Sequence, residues 1–565
     1  MTHKSIVILA FFLTISILSA ASPRPQQAAQ PADLVLTNGR VVTAEDSLPE
    51  AQAIAMRGGR IVALGSSGEL RSYVGTGTHV VDLQGQLVIP GFVESHGHFA
   101  GLGDAQLNLR LMPATSWAEI VAMVGDAAKK ATPGEWIVGR GWHQEKWTSR
   151  PTPNVEGFPT HASLDAVSPN NPVLLTHASG HASFVNAKAM EISDINQATP
   201  NPPGGEILKD AAGNPTGLLR ETAAGLVRSG RGDSTRARKA LELASQEALS
   251  KGVTSFQDAG SSFATIDLMK QMIDEGKIGV RLWVMVQEGN QREAPLLAKY
   301  RTIDYGDAHL TVRAIKRQID GALGSRGAWL LEPYSDKPDS AGLNTARLAD
   351  IEETARLAMA NDYQLCVHAI GDRANRETLN IFEQAFKANP TKRGLRWRVE
   401  HAQHLSLPDI SRFGQLGVIA SMQGIHCTSD APYVTERLGA RRTEEGAYVW
   451  QKLMKSGAVV TNGTDAPVED LDPIASYYAT VSRKTKAGRV FYADQRMSRM
   501  EALKSYTLNG AYAAFEEASR GSLKVGKFAD MTVLSKDITT IAEDEIPTAK
   551  VTYTIVGGRI LYKKP

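Results

Sequence analysis

The sequence predicts an α/β chain: an eightfold βα barrel with one large insertion, beside a small β domain built from both chain ends. Three observations lead there. Short apolar runs alternate with helical patterns across residues 87–520, which is the texture of parallel βα units, and so many units suit a closed barrel better than a six-stranded open sheet. Segments near the two ends share one glycine-turn pattern. Residues 114–233 break the rhythm and are rich in Pro, Gly and Asn, so they read as an insertion covering one face.

The elements follow in order. Lys4 precedes the apolar run Ile6 to Leu18, and Ser19-Ala20-Ala21 offers small residues for cleavage. Residues 1–21 therefore read as a signal peptide cut near Ala21, and 22–32 as a flexible leader. The run of 13 residues falls short of the roughly 20 that span a bilayer. The expected product is exported, periplasmic or secreted, with no membrane span after cleavage. Asn38-Gly39-Arg40-Val41-Val42, Gly58-Gly59-Arg60-Ile61-Val62 and Gly557-Gly558-Arg559-Ile560-Leu561 each feed a glycine turn into a β-rich run. Residues 33–86 and 521–565 are thus expected to share one small domain. Between them, Val88-Ile89, Gly252-Val253-Thr254-Ser255, Val280 to Val286, Leu365-Cys366-Val367 and Ala458 to Thr461 read as strands. Arg236–Ala248 and Asp350–Met359 read as helices.

Composition narrows the function. The 565 residues include 62 Lys plus Arg against 60 Asp plus Glu, a formal charge of +2, with 42 % hydrophobic and 22 % charged residues. Those values are globular and exclude disorder, collagen and coiled coil as the main architecture. The absence of a basic run argues against a nucleic-acid partner. Two cysteines, Cys366 and Cys427, exclude a disulfide scaffold or a four-cysteine zinc module, and are expected as buried free thiols.

In a barrel, chemistry sits where strands end. Glu94-Ser95-His96-Gly97-His98 closes an apolar run and places two imidazoles on one side of an extended chain. His368 ends Gln364 to Val367, His401 ends Trp397 to Glu400, and Asp465 lies just past Val459-Val460-Thr461. Each run terminates in a side chain able to hold a metal. His404 competes with His401, but the strand-end position favours His401.

At these residues the chain resembles the metal-dependent amidohydrolase superfamily, and within it the amidohydrolase 3 branch of YtcJ-like proteins and N-substituted formamide deformylases. The motifs are Pro90 to His98, Gly139-Arg140-Gly141-Trp142, Gly180-His181-Ala182, Pro215 to Glu221, Asp320 to Arg326, His368 to Ala374, Val399 to Gln403, Gly463 to Val468 and Gly521 to Asp530. Coverage runs from about residue 33 to the end. Gln423-Gly424 departs from the Gln-Pro frequent in this branch, which puts the local loop shape in question.

The resemblance implies a distorted (β/α)8 TIM barrel with a small β-sandwich. It implies metal positions at His96, His98, His368, His401 and Asp465, with Lys316 at the strand 4 position where many members carry a carboxylated lysine bridging two metals. The alternative is a Lys316–Asp320 ion pair. Imidazole and carboxylate ligands suit zinc first, with iron or manganese as alternatives, one or two ions per chain. A bound metal brings water to a pKa of about 7, and Asp465 would take its proton and pass it on as the catalytic acid–base. Trp142, His143, His181 and Asp320 are the substrate-pocket candidates. Trp142, Trp147 and Phe184 would form a lid or the insertion's own core. His177 and His426 read as structural, and Arg220-Glu221 as a structural pair. The expected activity is hydrolysis of a non-peptide C–N bond, amide or N-formyl, in a small-molecule substrate. Lactone or ester hydrolysis, deamination and a non-catalytic binding protein stand as alternatives, and a homodimer is left open.

Overall fold

In the computed structural model, Met1, residues 30–229 and residues 234–565 are described. The expected signal segment, 1–21, apart from Met1, and most of the leader lie outside the described residues. Among the described residues no helix is long and apolar enough to cross a membrane.

Eight parallel strands form the barrel: β1 (Phe92–Gly97), β2 (Val253–Ser261), β3 (Arg281–Val286), β4 (Leu310–Gln318), β5 (Gln364–Ala369), β6 (Arg398–His401), β7 (Ile419–Ser421) and β8 (Val460–Thr461). They pair in sequence order. Every residue of β3, β5 and β6 is buried, as expected for strands covered by side chains inside and helices outside. The ladder stops between β8 and β1. There the ring closes through Ser95 N–H to Asn462 O at 3.3 Å and Asp465 N–H to His96 O at 2.9 Å, so the seam itself ties two candidate metal residues together.

The covering helices bury one stripe each. In Phe263–Asp274 that stripe is Phe263, Ile266, Met269, Met272 and Ile273, the three-and-four spacing of an amphipathic helix. Each such side chain contributes roughly 1.5–3 kcal/mol on burial. Ser262 caps the helix, its Oγ accepting from Thr265 N–H at 3.2 Å.

The small domain joins both ends of the chain. One sheet holds Arg60–Gly65, Ala53–Arg57, Leu34–Thr37 and His79–Asp82. The other runs from Arg559–Lys563 through Val551–Val556, Met531–Leu534 and Leu87–Pro90 to Arg40–Val42 and Glu50–Ala51. They share a core of Leu34, Leu36, Ile54, Val88, Met531, Val533 and Ile555. Residues 87–90, expected on the barrel side of the boundary, instead pair antiparallel with Met531–Leu534. Asp530 then accepts from Arg281 of β3 at 2.8 Å, a buried bridge between the two parts.

The insertion is more than a covering loop. Ile137–Trp142 and Val173–His177 lie parallel, and Ala182–Val185, Pro215–Glu221 and Gly205–Lys209 extend the sheet antiparallel. Its own core contains Trp117, Ile120, Trp142, Phe158, Phe184 and Leu218. Cys366 and Cys427 are buried free thiols, as expected.

Candidate metal centre

The strand ends converge. His96 Nε2 lies 3.5 Å from Asp465 Oδ1, His98 Nε2 3.2 Å from the same oxygen, and His401 Nδ1 4.0 Å from Oδ2. His96, His401 and Asp465 each bring a ligand atom within 4.8 Å of the other two. The His368 ring completes the group, its centroid 4.5 Å from that of His401, which is 4.6 Å from that of His96. Two buried atoms here, His368 Nε2 and Asp465 Oδ1, have no hydrogen-bond partner among the described residues. An unpaired buried polar atom costs about 1–3 kcal/mol, and a divalent cation among His96, His401 and Asp465 would satisfy the carboxylate oxygen. The donor set of imidazole and carboxylate fits zinc, iron or manganese.

Electrostatics keep the donors in ligand form. Burial, helped by Lys316, pushes His96 down to about 4. Burial and neighbouring imidazoles hold His368 and His401 well below the usual histidine value, so the rings are neutral. Burial alone would raise Asp465, but His98, His96 and His401 outweigh it and hold the carboxyl well below its ordinary range. His401, Ala402 and Asp465 have φ of 77°, 43° and 58°, a conformation that side chains other than glycine adopt at a cost of about 1–3 kcal/mol each.

Behind these donors stands a buried charge network. Glu400 makes a very short contact with His96 Nδ1. Arg398 holds Glu400 through Nε to Oε1 at 2.7 Å and Nη2 to Oε2 at 2.9 Å, and reaches Ser95 O at 2.6 Å and Ser421 Oγ at 2.8 Å. Burial raises the Glu400 carboxyl, but Arg398 and His96 bring it far below the usual carboxylate range. With Nδ1 taken, His96 turns Nε2 inward. Gln423 Oε1 likewise lies 2.8 Å from His401 Nδ1. The Gly424 N–H, which a proline would lack, donates to Asn462 Oδ1 at 2.8 Å.

Lys316 projects from β4 into the same group, 3 % exposed, with Nζ 3.3 Å from His96 Nε2. Burial lowers its pKa, which favours the free amine. The alternative ion pair with Asp320 does not form. The chain leaves the strand at Gln318, and Asp320 turns to accept from the N–H groups of Ile370 at 3.0 Å, Gly371 at 2.8 Å and Trp329 at 2.9 Å. Burial lifts Asp320 to about 7 against those three donors. It lies behind His368, Oδ1 to Nε2 3.5 Å, and lines neither space beside the site.

The remaining candidates divide. His143 and His181 line a cavity of about 50 Å³ over His368, His401 and Asp465, room for a few water molecules. Past His181 opens a cleft of about 510 Å³ beside His98, Arg140, Glu221 and Gln318. Two clefts of similar or larger size, about 520 and 670 Å³, contain no histidine. Trp142 does not reach the pocket: a bulge at Gly141, φ 109°, shifts the register, and the fully buried indole donates to Leu175 O at 2.9 Å within the insertion's core. Phe184 is buried in that core and Trp147 packs against it. His404 stands away from the donors, its ring against Tyr448 at 5.5 Å.

Other groups of the site escaped the sequence reading. Arg220 and Glu221 do not pair, because neighbours on a strand face opposite ways. Arg220 goes to Glu206 and Glu156, and Glu221 to His181. His181 is held above the ordinary histidine value: burial lowers it, and Glu221 outweighs burial. His177 and His426 line the cavity rather than standing apart as structural groups, and among the described residues His426 Nε2 has no partner. The one available signal was a charged pair, Arg398 and Glu400, two apart in a short apolar strand.

Imidazoles and a carboxylate gathered at the C-terminal ends of a parallel barrel are the arrangement of metal-dependent barrel enzymes. The chain belongs to the amidohydrolase family, whose profile matches residues 79–562. It is 34 % identical to the protein LONG AFTER FAR-RED 3 of Arabidopsis thaliana over 94 % of this chain and 92 % of that one. It is 30 % identical to the YtcJ protein of Bacillus subtilis (93 % and 98 % covered) and 27 % identical to the N-substituted formamide deformylase of Arthrobacter pascens (94 % and 98 %). Among solved structures it resembles an uncharacterized metal-dependent hydrolase from Pyrococcus horikoshii, TM-score 0.72, 25 % identical, over 90 % of this chain and 99 % of that one.

Proposed function

We propose that the protein hydrolyses a non-peptide C–N bond, an amide or N-formyl group, at a metal held by His96, His98, His368, His401 and Asp465. The observation that carries this is the convergence of His96, His401 and Asp465, with His98 Nε2 3.2 Å from Asp465 and the His368 ring beside that of His401. The formamide deformylase relative supports the bond class. When bound, the metal supplies Lewis acidity and lowers the pKa of water to about 7.

The chain's own groups do the rest. Asp465, ionised and next to the donors, accepts the proton of the attacking water. Arg398 and Glu400 fix the ring of His96. The cavity, about 50 Å³, has room for only a few water molecules. Lys316, close to His96 and with its pKa lowered by burial, is the group whose carboxylation would make the centre binuclear. Export rests on the apolar run Ile6 to Leu18.

Assay of metal-loaded protein on formamides, N-acyl amides and lactones tests the reading. Turnover of formamides or amides, lost in Asp465→Asn, supports it; turnover of lactones alone overturns the bond assignment.

A further inference from the structure

We propose that His181, held by Glu221, is the proton donor to the leaving nitrogen, a catalytic residue supplied by the insertion rather than by the barrel. This rests on the C–N hydrolase reading above.

The pair is built by sheet register. His181 precedes the strand Ala182–Val185, and Glu221 ends its antiparallel neighbour Pro215–Glu221. The Glu221 N–H donates to His181 O at 2.9 Å, and the two side chains meet at 2.7 Å between Nδ1 and Oε2. The imidazole is 13 % exposed and the carboxylate 1 %. A barrel loop makes the seat for that carboxylate. A Cβ on Gly321 would lie 2.0 Å from Glu221 Oε1, and one on Gly327 2.3 Å from it. Residues with a side chain at either place would expel the carboxylate. The insertion and the loop after β4 are therefore fitted to each other through Glu221.

With Nδ1 occupied, Nε2 is the ring atom left for a substrate, and no described group hydrogen-bonds it. The ring lies 4.9 Å from that of His368. His181 borders both the closed cavity over His368, His401 and Asp465 and the wide cleft outside it. A substrate whose acyl group sits in the cavity runs its leaving group past His181 into the cleft. The other cavity histidines are placed differently. His177 spends Nδ1 on Ser179 at 2.8 Å and Nε2 on Gln144 at 3.1 Å. His426 shares Nδ1 with Gln403 at 3.0 Å and stands beyond His401. Of the described histidines lining the cavity, His181 alone meets a glutamate carboxylate of the insertion; His143 Nδ1 accepts from the backbone N–H of Glu145 at 3.3 Å.

The step balances. As the C–N bond breaks, its electron pair stays on nitrogen, which takes the proton from His181 Nε2. The proton that the attacking water leaves on Asp465 replaces it overall, and acid and amine are the products. Asp465 then serves the water half of the reaction and His181 the leaving-group half. Glu221 acts through His181 and is a positioning residue.

The test uses the metal-loaded full chain on one acyl group with leaving groups of graded basicity, from an alkylamide through anilides to a nitrophenyl ester. His181→Asn is expected to lose about 10²–10³-fold on the most basic leaving group and little on the nitrophenyl ester, with metal content unchanged. Glu221→Gln should show the same slope, less steeply. A loss equal across the series overturns the role of His181 and leaves the hydrolase reading standing. Wild-type protein inert on every member overturns both. A readout without turnover is the ¹⁵N spectrum of histidine-labelled protein, with His181 assigned by its loss in His181→Asn. A protonated Nδ1 that Glu221→Gln perturbs is expected; a wild-type Nδ1 without its proton contradicts the arrangement.

Discussion

The histidines at the barrel's strand ends and those of the insertion are built on opposite terms. In the barrel, His96 has Nδ1 taken by Glu400 and Nε2 turned inward, and His401 has Nδ1 on Gln423, while among the described residues no hydrogen bond of good geometry reaches His368 Nε2 or Asp465 Oδ1. In the insertion, His177 is bonded at both nitrogens, and His161 and His181 each meet a carboxylate. A folded protein tolerates a few orphaned buried polar atoms, each of which calls for an explanation. The ligand atoms of His96, His401 and Asp465, all within 4.8 Å of one another, mark the place the barrel reserves for something not made of protein. The insertion instead orients finished side chains toward that point. One region holds and the other positions.

The sharpest way to break this comparison is Asp465→Asn. Turnover should fall about 10³-fold or more, while the melting temperature changes little, because asparagine tolerates the left-handed backbone at φ 58°. Unchanged turnover would remove Asp465 from the chemistry. Next is Glu400→Gln, which loosens His96 while leaving every proposed ligand in place. Metal affinity, read by chelator competition, should drop about 10–100-fold; no change would mean the Arg398–Glu400 network serves only the fold. Gly321→Ala addresses the insertion side. A methyl 2.0 Å from Glu221 Oε1 must push that carboxylate off His181, and kcat on amides should fall by about tenfold with metal content intact. Wild-type kinetics would show the seat to be dispensable.

The gentlest effect is a pH slope. His96 is lowered from 6.5 to about 4, and His368 and His401 lie well below 6.5. Below pH 6.5 the unfolded chain therefore binds protons that the native rings refuse. Stability is complete above that value and is lost as pH falls toward 4, by up to about 1.4 kcal/mol per pH unit for each ring. Urea unfolding of the metal-free protein at pH 7, 5.5 and 4 should show the decline, and a flat profile would contradict neutral buried rings.

What the sequence revealed follows the same division. The meeting of His96, His401 and Asp465 was legible because each apolar run stops at a donor, and a parallel barrel brings run ends to one face. Lys316 was legible only through family resemblance. The Glu221–His181 contact was hidden because it depends on the register of two antiparallel strands forty residues apart, and because Arg220 stands next to Glu221 and suggests a false pair. Trp142 misled for a similar reason: one bulged residue, Gly141, decides which face it takes. Leu87–Pro90 looks like any buried strand, and only its partner Met531–Leu534 assigns it to the small domain. Local pattern announces which residues end a strand, and long-range register decides what they meet.

The central claim is that the barrel's converging donors hold a metal. Metal content per chain, measured by plasma mass spectrometry on protein purified without chelators, tests it most directly. The account predicts at least one equivalent of zinc, iron or manganese, lost when His96 and His401 are both replaced by asparagine, and a second equivalent if Lys316 is carboxylated. A wild-type chain that binds none, even after incubation with all three metals, would contradict it.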